Sequence, residues 1–359
     1  LEKKFEWPPL AGPRNTFGSG VVNTNIIKHA DRTLALVEAG GLPVELDDCL
    51  ETVCRTNLDG TLPAGLSAHP HRDLDTGELH AAVYSPFWHH IQHLVIDPTG
   101  LVIRALDVPV SGQPMVHDCM ITKQYFVLLD LPVIFDQKIF EAGYSMPYKW
   151  YPEYGARIGL LPRNGTADEV TWYEVEPCYV FHLMNAYENE SGEVVVDVVR
   201  HSKMFDKDRL GPSEGVGNLY RWEISRVDGK IKESQLDDEA IEFPRINEAR
   251  TGMSYRYGYV CSFTKGLFPN GLKKYDLVNG VSESYSIGDY KAFMEPIFIS
   301  RTGSSREDDG WLLAYSYDKN MDSSDVVILN AADISAGPLA TIHLPRRVPF
   351  GFHGNWLSG

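Results

Sequence analysis

Four of the twelve histidines stand in similar settings, beside apolar or small residues and near the ends of strand-like runs: His69 in "LSAHPHRD", His117 in "MVHDCM", His182 in "YVFHLMNAY" and His353 in "FGFHGNW". Their separations are 48, 65 and 171 residues, whereas the ligands of a zinc finger lie a few residues apart, so a local site of that kind is excluded. A site at a common centre is compatible with this spacing if a different element carries each histidine there. Four neutral imidazoles would hold a divalent ion without compensating its charge. Carboxylates accepting the second ring N–H of the ligands would then be expected, fixing tautomer and direction. The competing explanation for any one of the four is a hydrogen-bonded core or rim residue. The tighter group His89, His90 and His93 in "WHHIQHL" lies in a strand-like run before an Asp-Pro-Thr-Gly turn. Alternation sends His89 and His90 to opposite faces, so this group is assigned to structure or surface.

The elements that would position the four histidines are short strands. Runs such as "GELHAAVYSP", "KQYFVLLDLP", "EVTWYEVEP" and "GNLYRWEISRVDGKIKES" alternate with turns of the type Asp-Pro-Thr-Gly, Glu-Ser-Gly and Val-Asp-Gly, the grammar of β-hairpins. Long amphipathic helices are not apparent. A sandwich, a barrel or a propeller fits this pattern. A propeller takes up the whole length as one unit, since 359 residues shared among seven blades gives about 51 each, close to the roughly 40 to 50 of blade repeats. No Pro-, Gly- or Ser-rich linker divides the chain, so residues 1–359 are expected to form a single domain.

Composition narrows the function classes. Hydrophobic residues make up 43%, aromatic residues 11% and charged residues 23%, which suits a chain with a sizeable core. The net charge of −16 repels polyphosphate and anionic headgroups and argues against nucleic acid as a partner. No apolar run reaches the ~18 to 20 residues that cross a bilayer, and the first residues lack the apolar core of a secretory signal. An intracellular, cytoplasmic protein is expected. The five cysteines are scattered and form no CxxC pair, which indicates neither a disulfide framework nor a zinc ribbon.

The blocks "SAHPHRDLDTGELH", "MVHDCMITKQYFVLLDLP", "FHLMNAYEN", "EFPRIN" with "YRYGY", "EPIFISR" and "LPRRVPFGFHGNW", in this order, closely resemble the carotenoid cleavage oxygenase family, which includes lignostilbene dioxygenases and a retinoid isomerase. The resemblance runs from about Asn23 to Trp356. It implies an all-β, seven-bladed propeller with Fe(II) on its axis, held by His69, His117, His182 and His353. It further implies that Glu38, Glu242 and Glu295 accept the N–H groups of ligand histidines. Thr24 matches a threonine whose methyl group crowds one open iron position. Asp118 follows its histidine as in the family, while Cys119 stands where an aromatic or apolar residue is common, a departure that bears on pocket shape. The family usually carries more chain before the Asn-Thr-Asn block, including a Gly- and Asp-rich hairpin that is not found here, so the N-terminal part of the family fold is expected to be missing or incomplete.

All-imidazole ligation suits Fe, Zn, Cu or Ni, and the expectation of iron rests on the resemblance. The implied reaction is cleavage of a C=C bond of a lipophilic conjugated alkene by O2 to give two carbonyl products. In the stilbene-cleaving branch a lysine that contacts a phenolic oxygen typically precedes the first glutamate, and here Val37 occupies that position. A buried phenol without a partner costs roughly 1 to 3 kcal/mol, so Val37 favours an apocarotenoid. A stilbene or a propenyl-phenol of the isoeugenol type is the alternative. An isomerase on the same site and a propeller without catalytic function are the readings from other classes. Weak membrane contact at the mouth of a lipophilic site is compatible with the sequence.

Overall fold

The structure is a computed structural model, and it describes residues 21–144, 146–208, 214–264 and 268–357. Its strands are short because turn residues interrupt the apolar runs every few positions. At Asp97–Gly100, for example, the Asp97 carboxylate accepts the amides of Thr99 and Leu101 at 2.9 and 3.0 Å. Gly100 closes this turn at φ 89°, which only glycine adopts without strain.

The hairpins assemble into successive antiparallel sheets, each in sequence order from its inner to its outer strand. The first comprises Asn25–His29, Arg32–Leu36, Val44–Leu46 and Thr52–Arg55, and the second His71–Arg72, Leu79–Val83, His90–Ile96 and Val102–Pro109. The third runs through Met120–Ile121, Tyr125–Asp130, Ala156–Pro162 and Thr171–Val175. The fourth holds Tyr179–Glu188, Val194–His201, Gly217–Ser225 and Lys230–Gln235. The fifth contains Ile241–Ile246, Tyr257–Ser262, Gly271–Asp276 and Val281–Ser286. In the sixth, Lys291–Phe293 and Ile297–Ser300 both pair with Gly310–Asp318, which is followed by Ser323–Asn330 and Pro338–His343.

The architecture is an all-β propeller, and among the described residues it has six blades where both the even division of the length and the family resemblance imply seven. The blades are of unequal size. Between two neighbouring strands of the third sheet, residues 131–155 leave to form the separate ribbon Val133–Phe135 with Tyr148–Trp150 and the short helix Gln137–Glu141. The sixth sheet takes five strands. Equal partition therefore gives one blade more than the described residues contain.

Packing between blades is apolar. Leu34, Leu36, Leu79, Ala81 and Leu94 join the first two sheets. Phe126, Val127, Leu160, Tyr179, Val196 and Trp222 belong to a larger cluster that runs from the second sheet to the fourth, and Tyr259, Leu272, Phe293 and Leu312 unite the fifth and sixth. Strands flanked on both faces lose alternation: Leu79–Val83 is buried throughout, whereas the edge strand Val102–Pro109 still alternates. Inner strands of five sheets, through Ile27, His71, Met120, Met184 and Ile246, line a cavity of about 420 Å3 whose wall also includes His69, His182 and His353.

Candidate metal centre

Each of the four histidines is delivered by a different piece of chain. His69 lies in the connection before the second sheet, and His117 lies just before the strand Met120–Ile121. His182 sits inside Tyr179–Glu188, where the register slips on both sides of Leu183, and His353 follows the last strand. Their side chains meet. The His117 and His182 Nε2 atoms are 3.2 Å apart, as are those of His182 and His353, and the His69 ring centre is 4.4 Å from that of His353 and 4.6 Å from that of His117.

Three glutamates fix the outward nitrogens. His182 Nδ1 donates to Glu242 Oε2 at 2.6 Å and His353 Nδ1 to Glu295 Oε1 at 3.0 Å, while His117 Nδ1 lies against Glu38 Oε1. A histidine that gives its Nδ1 proton to a carboxylate presents a bare lone pair at Nε2. At least three such lone pairs therefore converge, and two neutral acceptors 3.2 Å apart have no hydrogen to share. His69 Nε2 is likewise buried without a partner, and burial together with the neighbouring imidazoles pushes its pKa well below the ordinary histidine value. Convergent, buried lone pairs call for a cation. Two nitrogens each about 2.1 Å from one ion and at right angles to it would be roughly 3 Å apart, so the four side chains fit a divalent metal. Among the described residues they form the one group in which four side chains offer ligand atoms within 4.8 Å of one another.

The glutamates are anchored in turn, each by a different kind of group. Tyr84 donates its hydroxyl to Glu38 Oε2 at 3.1 Å. His201 Nε2 donates to Glu242 Oε1 at 2.9 Å, and Arg245 Nη1 donates to Glu295 Oε2 at 3.0 Å. Burial opposes ionisation of Glu295, but the Arg245 guanidinium and His353 outweigh it and bring the carboxyl down to about 2. Glu38 and Glu242 are also held below the ordinary carboxylate range, since their imidazole partners outweigh burial. Local backbone makes these placements possible. A bulge between Glu242 and Arg245, with Phe243 at φ 56°, turns both side chains inward. Glu38 enters a left-handed turn at Ala39 and Gly40, φ 58° and 72°, backed by the bridge from Gly41 to Leu66. That bridge ties the Glu38 turn to the segment leading to His69.

Asp118 is a clamp for its neighbour. It accepts His71 Nε2 at 2.8 Å and the Leu183 amide at 3.0 Å, tying the His117 segment to the strand that carries His182. Thr24 lies just before Asn25–His29, donating its amide to Leu36 and its hydroxyl to Asn23, while Asn25 lines the cavity. Val37 is half-buried between Leu36 and Glu38. Of the group His89, His90 and His93, the last is fully buried, and its Nε2 lies 3.0 Å from His80 Nδ1, away from the four. Sequence reasoning missed Tyr84, His201 and Arg245 as supports of the site. Arg245 had a signal, since it falls inside "EFPRIN" three residues after Glu242; Tyr84 and His201 had none.

The sequence profile of the family described as "Retinal pigment epithelial membrane protein" (RPE65) matches residues 6–358. The chain belongs to the RPE65/carotenoid cleavage oxygenase family. It is 39% identical over 394 residues to a carotenoid cleavage oxygenase of Mycobacterium tuberculosis, covering 96% of this chain and 78% of that one. It is 32% identical to carotenoid 9,10(9',10')-cleavage dioxygenase 1 of Arabidopsis thaliana, covering 96% and 68%. Among solved structures, the lignostilbene dioxygenase of Pseudomonas brassicacearum superposes with a TM-score of 0.87 at 28% identity, over 94% of this chain and 75% of that one. No helix among the described residues is long and apolar enough to cross a membrane.

Proposed function

We propose that this member of the carotenoid cleavage oxygenase family is a non-haem Fe(II)-dependent dioxygenase that cleaves a C=C bond of an apolar, apocarotenoid-like substrate. The observation that carries this reading is the convergence of the four imidazoles, three of them backed by carboxylates. Iron(II) held by His69, His117, His182 and His353 would supply the binding and activation of O2 beside the alkene. Both oxygen atoms end on the two carbons of the broken bond as two carbonyls, so the balance needs no further reductant and no general base.

The chain's own contribution is orientation and exclusion of water. Glu38, Glu242 and Glu295 hold three ligand rings in the tautomer that leaves Nε2 free. Phe181 stands edge-on to His117 at 5.2 Å, and Phe243 lies 5.3 Å from His182 and 5.6 Å from His353, which keeps the surroundings apolar. Thr24 is assigned to crowding one side of the centre. A row of aromatic rings connects the surface with Glu38: Phe140 and Phe87 contact Phe135, Phe135 contacts Tyr148, and Tyr148 contacts Tyr84. Phe87 and Phe140 are 51% and 37% exposed at the outer end, and the exposed Tyr144 lies with Lys138 and Lys149 around one shallow pocket, which suits weak contact with a membrane that delivers a lipophilic substrate. A cytoplasmic location belongs to the same reading.

Cleavage of a stilbene or a propenyl-phenol is the second reading, favoured by the structural likeness to the lignostilbene dioxygenase. The two separate on one experiment: iron content and O2-dependent cleavage of all-trans apocarotenal and of 4-hydroxystilbene, for the wild type and His117→Ala. One iron per chain with cleavage of the apocarotenal, both lost in the variant, supports the first reading. Preference for the stilbene supports the second, and a folded wild type without iron or cleavage overturns both.

A further inference from the structure

His353 differs from the other ligands in how it reaches the centre. Residues 344–357 contain no strand and none of them is buried as a whole, yet the His353 side chain is 4% exposed. A segment with so few buried contacts belongs to the low-stability end of a fold, and something outside it must hold it in place.

The fixing group is a single guanidinium from the fifth sheet. Arg245 Nη1 donates to Glu295 Oε2 at 3.0 Å and to the Gly354 carbonyl at 3.3 Å. Nη2 donates to Asn355 Oδ1 at 2.9 Å and also to Glu248. The Gly354 amide adds a bond to Glu295 Oε2 at 3.1 Å. Asn355 extends the connection to the first sheet, donating from Nδ2 to Asn25 Oδ1 and to the Ile26 carbonyl, each at 2.8 Å. Fifth sheet, sixth sheet, last segment and first sheet therefore meet at one node beside the fourth histidine.

We propose that Arg245 is a positioning residue for His353 and that seating of residues 350–356 and occupation of the metal centre are one coupled event. The planar fork of arginine is what allows one side chain to hold a carboxylate, a backbone carbonyl and a side-chain amide together, and lysine cannot reproduce it. A metal at the four histidines would tie the last segment to the strand Tyr179–Glu188 and to the connections that carry His69 and His117. Release of the metal leaves that segment held by the Arg245 and Asn355 hydrogen bonds and by the bonds of His353 and the Gly354 amide to Glu295. This inference rests on the four-histidine metal reading but not on any choice of substrate.

The test uses Co(II) as probe, under anaerobic conditions, on the full chain and on Arg245→Gln, Arg245→Lys and Asn355→Ala. Co(II) affinity is measured by titration, and backbone amide exchange is followed with and without the ion. In the wild type, Co(II) is expected to slow exchange in 350–356 more than in the strand Gly310–Asp318. Arg245→Gln is expected to lose about 10- to 100-fold in affinity, together with protection of 350–356. Arg245→Lys should keep the charge opposite Glu295 without restoring that protection. Asn355→Ala leaves the Arg245–Glu295 pair in place, so it decides the matter if Arg245→Gln does not fold; it should lose several-fold in affinity and speed exchange in the same segment. Full restoration by lysine would reduce the role of Arg245 to charge neutralisation and overturn the proposal, as would wild-type affinity in Arg245→Gln or Asn355→Ala. A folded wild type that takes up no Co(II) would sink the metal reading itself.

Discussion

His182 and His201 share one carboxylate: His182 donates to Glu242 Oε2 and His201 to Oε1, at 2.6 and 2.9 Å. Both rings are thereby fixed as Nδ1–H and Nε2–H tautomers respectively, and the His182 lone pair points to the centre because Glu242 is saturated from both sides.

Replacing Glu242 by glutamine leaves only one side-chain oxygen for three N–H donors, those of His182, His201 and the Phe243 amide. If His182 loses its acceptor, its proton is free to move to Nε2, where it blocks metal ligation. Glu242→Gln is expected to weaken metal binding about 10- to 100-fold, and His201→Phe to weaken it less, because Glu242 stays ionised. Equilibrium titration with Co(II) checks this. Undiminished affinity in folded Glu242→Gln would show that the carboxylate does not set the tautomer.

Val37→Lys tests the substrate assignment. A lysine ahead of Glu38 offers a partner to a phenolic oxygen, and such a partner is worth roughly 1 to 3 kcal/mol when buried. The ratio of kcat/KM for 4-hydroxystilbene to that for the apocarotenal should rise by about 10-fold or more. A constant ratio would place the phenol-binding end of any such substrate away from residue 37.

The buried pair of His80 and His93 should make stability depend on pH. His80 Nε2 accepts from Arg163 at 2.7 Å and its Nδ1 faces His93 Nε2. Burial first and the Arg163 guanidinium second bring the His80 pKa down to about 3. The unfolded chain takes up this proton near pH 6.5, so it binds more protons than the fold at any pH between these values. The stabilisation is fully present above about pH 6.5 and is lost as pH falls towards 3, with a slope of up to about 1.4 kcal/mol per pH unit for one histidine. Urea midpoints measured from pH 7 to pH 4 should fall less steeply in His80→Gln than in the wild type. Parallel slopes would mean that the unfolded chain gains no extra proton at this position.

Gly65 should tolerate no side chain. A Cβ placed there would lie 1.7 Å from the Gly40 carbonyl oxygen, in the contact that backs the Glu38 turn and precedes His69. Gly65→Ala should cost about 1 to 3 kcal/mol, read as a lower urea midpoint, with reduced metal retention. An unchanged midpoint would show that the two loops separate freely.

Much of this was legible in the sequence. The run "KQYFVLLDLP" announces the buried strand Tyr125–Asp130, and His69, His117, His182 and His353 came together from motif order despite separations of up to 171 residues. The resemblance also singled out Glu38, Glu242 and Glu295, which composition alone leaves among 49 acidic residues. The number of blades was not legible, because dividing the length evenly takes no account of residues 131–155, which leave the third sheet to form a separate ribbon and a short helix. Tyr84 and His201 were not legible either. Each bonds to a carboxylate 46 or 41 residues away, and nothing in the local pattern of a strand records a partner contributed by another element.

The bulge at Phe243 makes one strand answerable to two ligands. Glu242 on one side of it serves His182, and Arg245 on the other serves Glu295 and the segment carrying His353. Because strand side chains alternate faces, losing or gaining a single residue here would turn one of the two outward whichever register the strand adopted. Ile241–Ile246 is therefore a stretch where length is constrained as tightly as composition: Phe243 must accept its backbone angle and keep an apolar ring beside His182 and His353, and a one-residue deletion would strip one of the two histidines of its support.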